Sequence, residues 1–324
     1  MRILAQDVEY YHLTRESQTT SAERVPDLLD DNTADTVSDK HVGHSLRDAL
    51  WYFDGTSMRV WPDVLDVVSA APADQGREIA PALAISLDFY PLTPVIDTGI
   101  IVGIEPELVL RRDVDFAFGR LTPRAHLFIP TLLRHQLSNY DSSAALHLSD
   151  SYQKLPYFSH ALEILLHDVL DEEVDAHDGN SNNNRKPNDT SFLASVLAFL
   201  SSYPTYLDII VQCTRKTELR SWRTLFKHLP AVTNLFEEAL RKNDLKTAGG
   251  FLLVLHTFDE GNFGTQQIAR LMRMAAERGE WELCKEMARF LVGVDGSGEM
   301  LRRTLGEAGL RSVGNGAGGS SGGD

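Results

Sequence analysis

The stretch LPYFSHALEILLHDVLDEEV, residues 155–174, decides the fold of this chain. Its apolar side chains recur every three or four residues, which is the pattern of an α-helix that buries one face. These side chains are Phe158, Leu162, Leu165, Leu166, Val169 and Leu170. Pro156 fits the first turn of such a helix, where a missing N–H costs nothing. Acidic residues crowd its carboxyl end, which is the unfavourable sign for the helix dipole, so we expect tertiary packing to hold it.

The residues after this stretch predict further helices, two of which look like copies of each other. Four positions of one helix match four of the other at an offset of 36 residues: Leu245, Ala248, Leu252 and Leu255 against Trp281, Cys284, Ala288 and Leu291. That spacing is typical of helical-hairpin repeats. Asp244 and Glu280 stand at the two helix starts, and Gly279 is expected to end the intervening helix. The sequence therefore predicts helical hairpins that stack.

The residues before about Pro123 predict strands instead. Leu50–Phe53 and Met58–Trp61 flank Asp54-Gly55, a strong hairpin-turn signal. Leu83–Tyr90 alternates apolar and polar residues, and prolines then interrupt the pattern at Pro91 and Pro94. Gly99–Ile104 and Leu108–Leu110 are expected to pair with each other. Four antiparallel strands are the content of one propeller blade, whose faces need neighbours to cover them.

We therefore expect a mainly α fold, an α-solenoid of helical hairpins preceded by a fragment of a β-propeller. Helical periodicity begins at about Pro123 and places Leu127, Leu132, Leu133 and Leu137 on one face. The expected segments are a partly disordered 1–44, a β-rich propeller remnant 45–115, an α-solenoid domain 120–305 and a flexible Gly/Ser tail 306–324. Residues 175–189 read as a polar loop.

Composition excludes several classes of function. The formal net charge of −15 repels phosphate backbones, so we expect no nucleic-acid partner. No apolar run approaches the length of a membrane span. Two cysteines, Cys213 and Cys284, are too few for a disulfide framework, which favours a reducing, intracellular setting.

The sequence offers no catalytic constellation, and we predict no catalytic residue, no cofactor and no metal site. His160, Glu163 and His167 share one helical face, but they lack the i, i+4 His pair of zincins and a further ligand. A helix-borne metallohydrolase is the weakest alternative. Cys213 precedes two basic residues and could be a low-pKa thiol, although a packed helix cysteine fits better.

One cluster has the composition of a partner contact. Arg215, Lys216, Glu218 and Trp222 lie at a break between two predicted helices, and arginine and tryptophan are enriched in interfaces. An ordinary solvated interhelix loop explains the same residues equally well.

Five strings resemble a known family, and they occur in the same order as in that family. LPYFSHALEILLHDVLDEE (155–173), YLDIIVQCTRKTE (206–218), LFEEALRKNDLKTA (235–248) and WELCKEMARFL (281–291) resemble the C-terminal helical region of the Ric-type subunit of the Golgi Ric–Rgp complex. LWYFDGTSMRVWP (50–62) is similar to the strand pair that closes that family's propeller region. The resemblance covers roughly residues 45–293.

The resemblance implies a scaffold subunit, not an enzyme in its own right. Its partners would be an Rgp-type subunit and a Rab-six (Ypt-six) small GTPase, activated by guanine-nucleotide exchange. The process would be endosome-to-Golgi retrograde and intra-Golgi transport, in the cytosol and at the cytoplasmic face of the Golgi membrane. Family members carry long WD-type propellers before the helices, whereas this sequence begins at the last strands. The alternative is a coat- or tether-like helical scaffold without exchange activity.

Overall fold

The computed structural model describes residues 10–13, 46, 48–64, 81–110, 117–179, 191–258 and 264–310. Within these residues, seven strands are followed by eleven α-helices. The chain divides into two compact units, Met1–Leu165 and Leu166–Asp324, and each is described by itself.

The first unit begins with a four-stranded antiparallel sheet whose strands follow one another in chain order. The strands are β1 (Tyr10–Leu13), β2 (Leu50–Phe53), β3 (Ser57–Trp61) and β4 (Leu83–Ser86). The predicted hairpin is confirmed, since β2 pairs antiparallel with β3. The Asp54 carboxylate holds the turn by accepting hydrogen bonds from the backbone N–H groups of Thr56 and Ser57, at 2.9 and 2.8 Å. This up-and-down order of four strands is that of one propeller blade.

A second, three-stranded antiparallel sheet corrects two predictions. Its strands are β5 (Tyr90–Val95), β6 (Ile100–Leu110) and β7 (Ala117–Leu127), in that order across the sheet. Pro91 and Pro94 were expected to interrupt the β structure, yet both lie inside β5. They are tolerated because β5 is an edge strand, where a missing N–H need not break a ladder. The segments Gly99–Ile104 and Leu108–Leu110 do not pair with each other, since both belong to β6, which pairs along its length with β7.

Two further strand predictions were wrong in their bounds. Leu83–Tyr90 keeps its predicted alternation of covered and exposed side chains, but β4 ends at Ser86 and Tyr90 already belongs to the second sheet. Leu127 was placed on a helical face, yet it ends β7 by pairing with Ile100. The helical period therefore starts after Leu127, not at Pro123.

The core of the first unit joins the sheets to two helices, α1 (Ile129–Ser138) and α2 (Ser142–Tyr152). The rings of Trp51 and Phe128, both buried, lie 4.9 Å apart. The hydroxyl of Tyr152 donates to the carbonyl of Ile96 at 2.8 Å, and that of Tyr157 donates to the carbonyl of Thr98 at 2.6 Å. These two bonds tie α2 and the turn after it to the connection between β5 and β6.

Residues 158–174 of the stretch LPYFSHALEILLHDVLDEEV lie in helix α3, Phe158–Gly179. All six apolar side chains of the predicted face are buried. Pro156 lies in the turn before the helix and not in its first turn. The helix also runs past Val174 to Gly179, so the first part of the predicted polar loop is helical, and the rest of that loop lies outside the described residues.

The remaining helices are 7 to 14 residues long, and each buries at least one apolar side chain. They are α4 (Phe192–Leu200), α5 (Tyr206–Lys216), α6 (Leu219–Leu225), α7 (Val232–Lys242), α8 (Leu245–Phe258), α9 (Thr265–Glu277), α10 (Trp281–Val294) and α11 (Glu299–Ala308). Helix α8 packs on α7, α5, α9 and α10, and α9 packs on α10 and α11. The α7–α8 and α9–α10 hairpins therefore pack on each other, as in a solenoid.

The predicted repeat has a backbone counterpart. Asn243 and Gly279 both have left-handed φ angles, 71° and 73°, and they end α7 and α9. The next residue in each case donates its N–H five residues back, Asp244 to Ala239 at 3.0 Å and Glu280 to Ala275 at 2.9 Å. The turns of the α7–α8 and α9–α10 hairpins thus share the same φ region and the same hydrogen bond, 36 residues apart. The predicted role of Gly279 is confirmed.

One member of the repeat was placed wrongly. Trp281 was matched with buried Leu245, but its side chain is 57% exposed, whereas that of Leu245 is 2% exposed. Helix α8 is covered on two sides, by α5 and α7 and by α9 and α10, while α10 packs on α8, α9 and α11. The buried face of α10 is therefore narrower, and Leu283 and Met287 lie in it.

The structure describes little of the two ends of the chain. Within the segment 1–44, expected to be partly disordered, the structure describes only β1 (Tyr10–Leu13); the rest of it and the tail after Leu310 lie outside the described residues. Helix α11 continues to Ala308, so the first residues assigned to the tail are helical. The expected segment boundaries otherwise stay predictions. Among the described helices, none combines the length and apolar character required to cross a membrane.

Candidate functional site

Helix α5 presents two basic side chains at its end. Its buried face carries Leu207, Ile210 and Val211, which fixes the opposite face toward solvent. Arg215 and Lys216 occupy the last turn with exposed side chains, a placement that the helix dipole favours.

Glu218 lies between α5 and α6 in extended backbone. Its side chain is 76% exposed, and its carboxylate is 3.1 Å from the guanidinium of Arg220, which is 58% exposed. A pair this exposed contributes little to stability. Glu218 is therefore available to a partner at small cost.

Trp222 has a different position from the other three predicted residues. It is half-buried on α6, and its indole Nε1–H donates to the carbonyl of Thr214 at 2.9 Å. This bond satisfies a carbonyl of the last turn of α5 and holds α6 against it. Trp222 fixes the corner between the two helices, whereas Arg215, Lys216 and Glu218 present charge on it.

Sequence reasoning missed further exposed residues at this corner. Arg220, Arg223 and Lys227 are exposed, and Leu219 is 42% exposed beside them. Their spacing of i, i+3 and i+7 was readable as one helical face. We call the exposed set the basic corner: Arg215, Lys216, Leu219, Arg220, Arg223 and Lys227.

The charge of the basic corner contrasts with the rest of the chain. Residues 215–228 hold five Lys or Arg and one acidic residue, in a chain with 31 Lys and Arg against 46 Asp and Glu. A concentration of one sign of charge raises the local potential and attracts the opposite sign. The corner can bind an acidic surface, and it holds no pair of groups suited to acid–base chemistry.

The other residues that the sequence singled out make contacts within or next to their own helices. The Nδ1 atom of His160 is 3.2 Å from Glu163, and that of His167 is 3.1 Å from Asp171, each pair one turn apart on α3. In the part of the chain that the structure describes, no three His, Cys, Asp or Glu side chains are grouped to hold a metal ion. Cys213 is fully buried in α5, which confirms it as a packed helix cysteine.

Comparison with known proteins gives matches along most of the chain. Residues 130–310 match the family model of the RIC1 C-terminal alpha solenoid region, and residues 1–124 match that of the RIC1 second beta propeller domain. The proteins named guanine nucleotide exchange factor subunit RIC1 from mouse and human are each 31% identical to the chain over 268 residues, 78% of it. The guanine nucleotide exchange factor subunit R06F6.8 of Caenorhabditis elegans is 29% identical over 296 residues, 88% of the chain.

The relatives are much longer than this chain. The matched part is 18% of the mouse and human proteins and 20% of the nematode protein. The chain thus spans about a fifth of the length of these relatives, and its two matched regions are an alpha solenoid and the propeller that precedes it.

Proposed function

The chain belongs to the RIC1 family, and from that membership we propose that it supplies a helical docking surface to a guanine-nucleotide exchange complex. The observation that carries the proposal is the pair of stacked hairpins α7–α8 and α9–α10, repeated 36 residues apart within the matched solenoid region. Stacked hairpins expose extended surfaces suited to binding other proteins.

An exchange complex works by differential affinity. It binds the nucleotide-free GTPase more tightly than the nucleotide-loaded form, and by linkage the GTPase then holds its nucleotide more weakly. Such an activity requires complementary surfaces and no general acid or base. A solenoid with a charged corner is therefore sufficient for the part that we assign to this chain.

The finer assignment follows the resemblance of the five collinear strings. We assign the GTPase to the Rab-six (Ypt-six) type and the second subunit to the Rgp type. The process is retrograde transport from endosomes to the Golgi and within the Golgi, with the complex peripheral to the cytoplasmic face of the membrane. What supports this is the family membership together with the relatives' name as exchange-factor subunits.

We further propose the basic corner as the contact for the Rgp-type subunit. Arg215 and Lys216 present two charges in the last turn of α5, and Arg220 and Arg223 present two more on α6. Trp222 holds these helices in a fixed relation through its bond to Thr214, so the charges are preorganised. A complementary acidic patch on the partner would raise both the rate at which the two proteins associate and the specificity of their complex.

A coat- or tether-like scaffold without exchange activity is the second candidate, because the stacked hairpins alone suit it equally well. Release of a fluorescent GDP analogue from the Rab-six-type GTPase separates the two. The GTPase is mixed with this chain, with the Rgp-type subunit, and with the complex of the full-length family protein and that subunit.

We expect release well above the intrinsic rate with the full-length complex, and none above it with the chain alone. Release at the intrinsic rate with the full-length complex favours the scaffold. Brisk release by the chain alone would contradict its assignment as a docking surface.

A further inference from the structure

A cleft opens between α9 and α11, away from the basic corner in sequence and on different helices. Its volume is about 450 Å³, and its lining includes Thr265, Gln266, Arg270, Arg273, Arg303 and Glu307. Three guanidinium groups and one carboxylate therefore share one concave surface. Three like charges in one cleft favour an anion as its occupant.

Arg273 keeps its positive charge in the cleft. Its guanidinium donates to the backbone carbonyls of Glu307 and Ala308 at the end of α11. These carbonyls accept its hydrogen bonds and hold the side chain in place. A carbonyl carries only a partial negative charge, so the positive charge of Arg273 is not neutralised. Arg273 therefore ties α11 to α9 and supplies a fixed cation at the cleft.

Arg270 and Arg303 are held by carboxylates that a ligand can replace. Arg270 contacts both oxygens of Glu237 on α7, at 2.9 and 2.6 Å, and the two side chains are 53% and 51% exposed. Arg303 donates to Glu307 at 3.0 Å, and its side chain is 71% exposed. Exposed ion pairs of this kind contribute little to stability, so exchanging Glu237 or Glu307 for an incoming carboxylate costs little.

The positions of these residues follow the stacking of the helices. Glu237, Arg270 and Arg303 are separated by 33 residues each time and lie on α7, α9 and α11, three helices of the stack. The row of side chains therefore crosses the stack from helix to helix. An extended chain laid across the stack would meet Arg270 and Arg303 in turn.

We propose that this cleft binds an acidic segment of another protein, through carboxylates that pair with Arg270 and Arg303 and lie over Arg273. Guanidinium groups bind carboxylates bidentately, which gives both energy and orientation. The open cleft and the placement of its arginines on two different helices suit a peptide better than a free phosphate ion. The side chains of Thr265 and Gln266 at the start of α9 add hydrogen-bonding groups at one end.

The test is fluorescence anisotropy of a labelled hexaglutamate peptide, titrated with the full 324-residue chain. The salt concentration is about 0.1 M, at which the Debye length is about 10 Å. The test variant is Arg270→Glu with Arg303→Glu. The matched control is Arg289→Glu with Arg302→Glu, which makes the same change in charge at exposed residues that do not line the cleft. Circular dichroism verifies the helix content of both variants.

We expect the test variant to weaken binding about tenfold or more and the control about twofold or less, with affinity falling as salt rises. Equal effects of the two variants, or no binding by the wild-type chain, would overturn the proposal. So would full competition by inorganic phosphate at equal concentration, because the cleft would then be a phosphate site. The assay contains neither GTPase nor partner subunit, so its failure leaves the exchange-complex proposal standing.

Discussion

Gly249 and Gly250 lie side by side in α8 and face different neighbours. A Cβ added at Gly250 would overlap Cγ1 of Val211 on α5, whereas one added at Gly249 would lie 3.3 Å from the flexible end of Leu283. Helix α8 therefore approaches α5 so closely at Gly250 that no side chain fits between them.

We predict that Gly250→Ala destabilises the chain by up to about 2 kcal/mol. The overlap with Val211 costs about 1–3 kcal/mol, against a gain of about 1 kcal/mol in helix propensity. Gly249→Ala is the matched control and should be neutral or stabilising by about 0.5 kcal/mol, since Leu283 can move. Urea unfolding followed by circular dichroism measures both. A Gly250→Ala protein as stable as the control would show that the two helices do not approach so closely.

Asp295 gives a prediction about pH. Its carboxylate accepts from the N–H of Met300 at 2.9 Å, and also from the N–H and hydroxyl of Ser297 at 3.0 and 2.7 Å. These hydrogen bonds, that from Met300 first, lower the pKa of Asp295 from 3.8 to about 2. Because the folded pKa is the lower one, the carboxylate contributes stability above pH 3.8 that is lost as the pH falls through 2.

Asp295→Ala should therefore lower the urea midpoint at pH 6, and the difference from wild type should shrink as the pH is taken down from 4 toward 2. Asp175→Ala, at an exposed residue of α3, is the control. A difference for Asp295→Ala that stays constant down to the lowest pH would mean that its carboxylate does not tie the start of α11.

For single residues, the sequence predicted which charged side chains are exposed, but not where the side chain of Trp222 lies. Arg215, Lys216 and Glu218 were identifiable because charged residues at a helix break are exposed. The position of Trp222 was not, because its half-buried state depends on a bond to Thr214 across a turn. Local composition carries no information about which carbonyl an indole will reach.

At the scale of the elements, the helical part is built of hairpins, and a residue with a left-handed φ angle stands at the turn of each of the two matching hairpins. Gly279 ends α9 with φ +73°, and a Cβ there would meet only the indole Nε1 of Trp281 at 3.9 Å. A substitution at Gly279 therefore changes backbone energy and almost no packing.

We predict that Gly279→Ala destabilises the chain by about 1 kcal/mol or more, the cost of placing an L-residue in the left-handed region. Gly296→Ala, where the glycine has open space and no positive φ, should have no such cost. Thermal unfolding of the two variants in parallel gives the comparison. Equal loss in both would contradict the assigned role of this turn in the repeat.

Helices and strands were predictable from the sequence where a local pattern of residues is enough to define them. The stripe of α3 and the hairpin at Asp54 follow from local pattern alone, and both are confirmed. Strand β7 was not predicted, since Gly119 and Pro123 weaken its local signal and its pairing with β6 defines it. Strand β5 was misread because whether a proline is tolerated depends on which strand is the edge, which no local window contains.

At the scale of the whole molecule, the uneven charge is the property that bears on function. An acidic chain of net charge −15 repels acidic partners in general, so a basic corner directs them to one place. Composition revealed the overall charge, and the structure located the exposed basic residues on α5 and α6. The repeat of hairpins likewise predicted a binding scaffold, while the partners that we propose follow from the resemblance to the Ric-type subunit.

The central claim is that the helical part offers a binding face to a partner subunit, and the affinity of the Rgp-type subunit for the chain tests it most directly. Surface-immobilised partner would be titrated with the wild-type chain, with Arg215→Glu plus Lys216→Glu, and with Lys285→Glu plus Arg289→Glu on the outward face of α10. The account predicts saturable binding by the wild type, weakened about tenfold by the first pair and about twofold or less by the second. No binding by the wild-type chain, or equal weakening by both pairs, would contradict it.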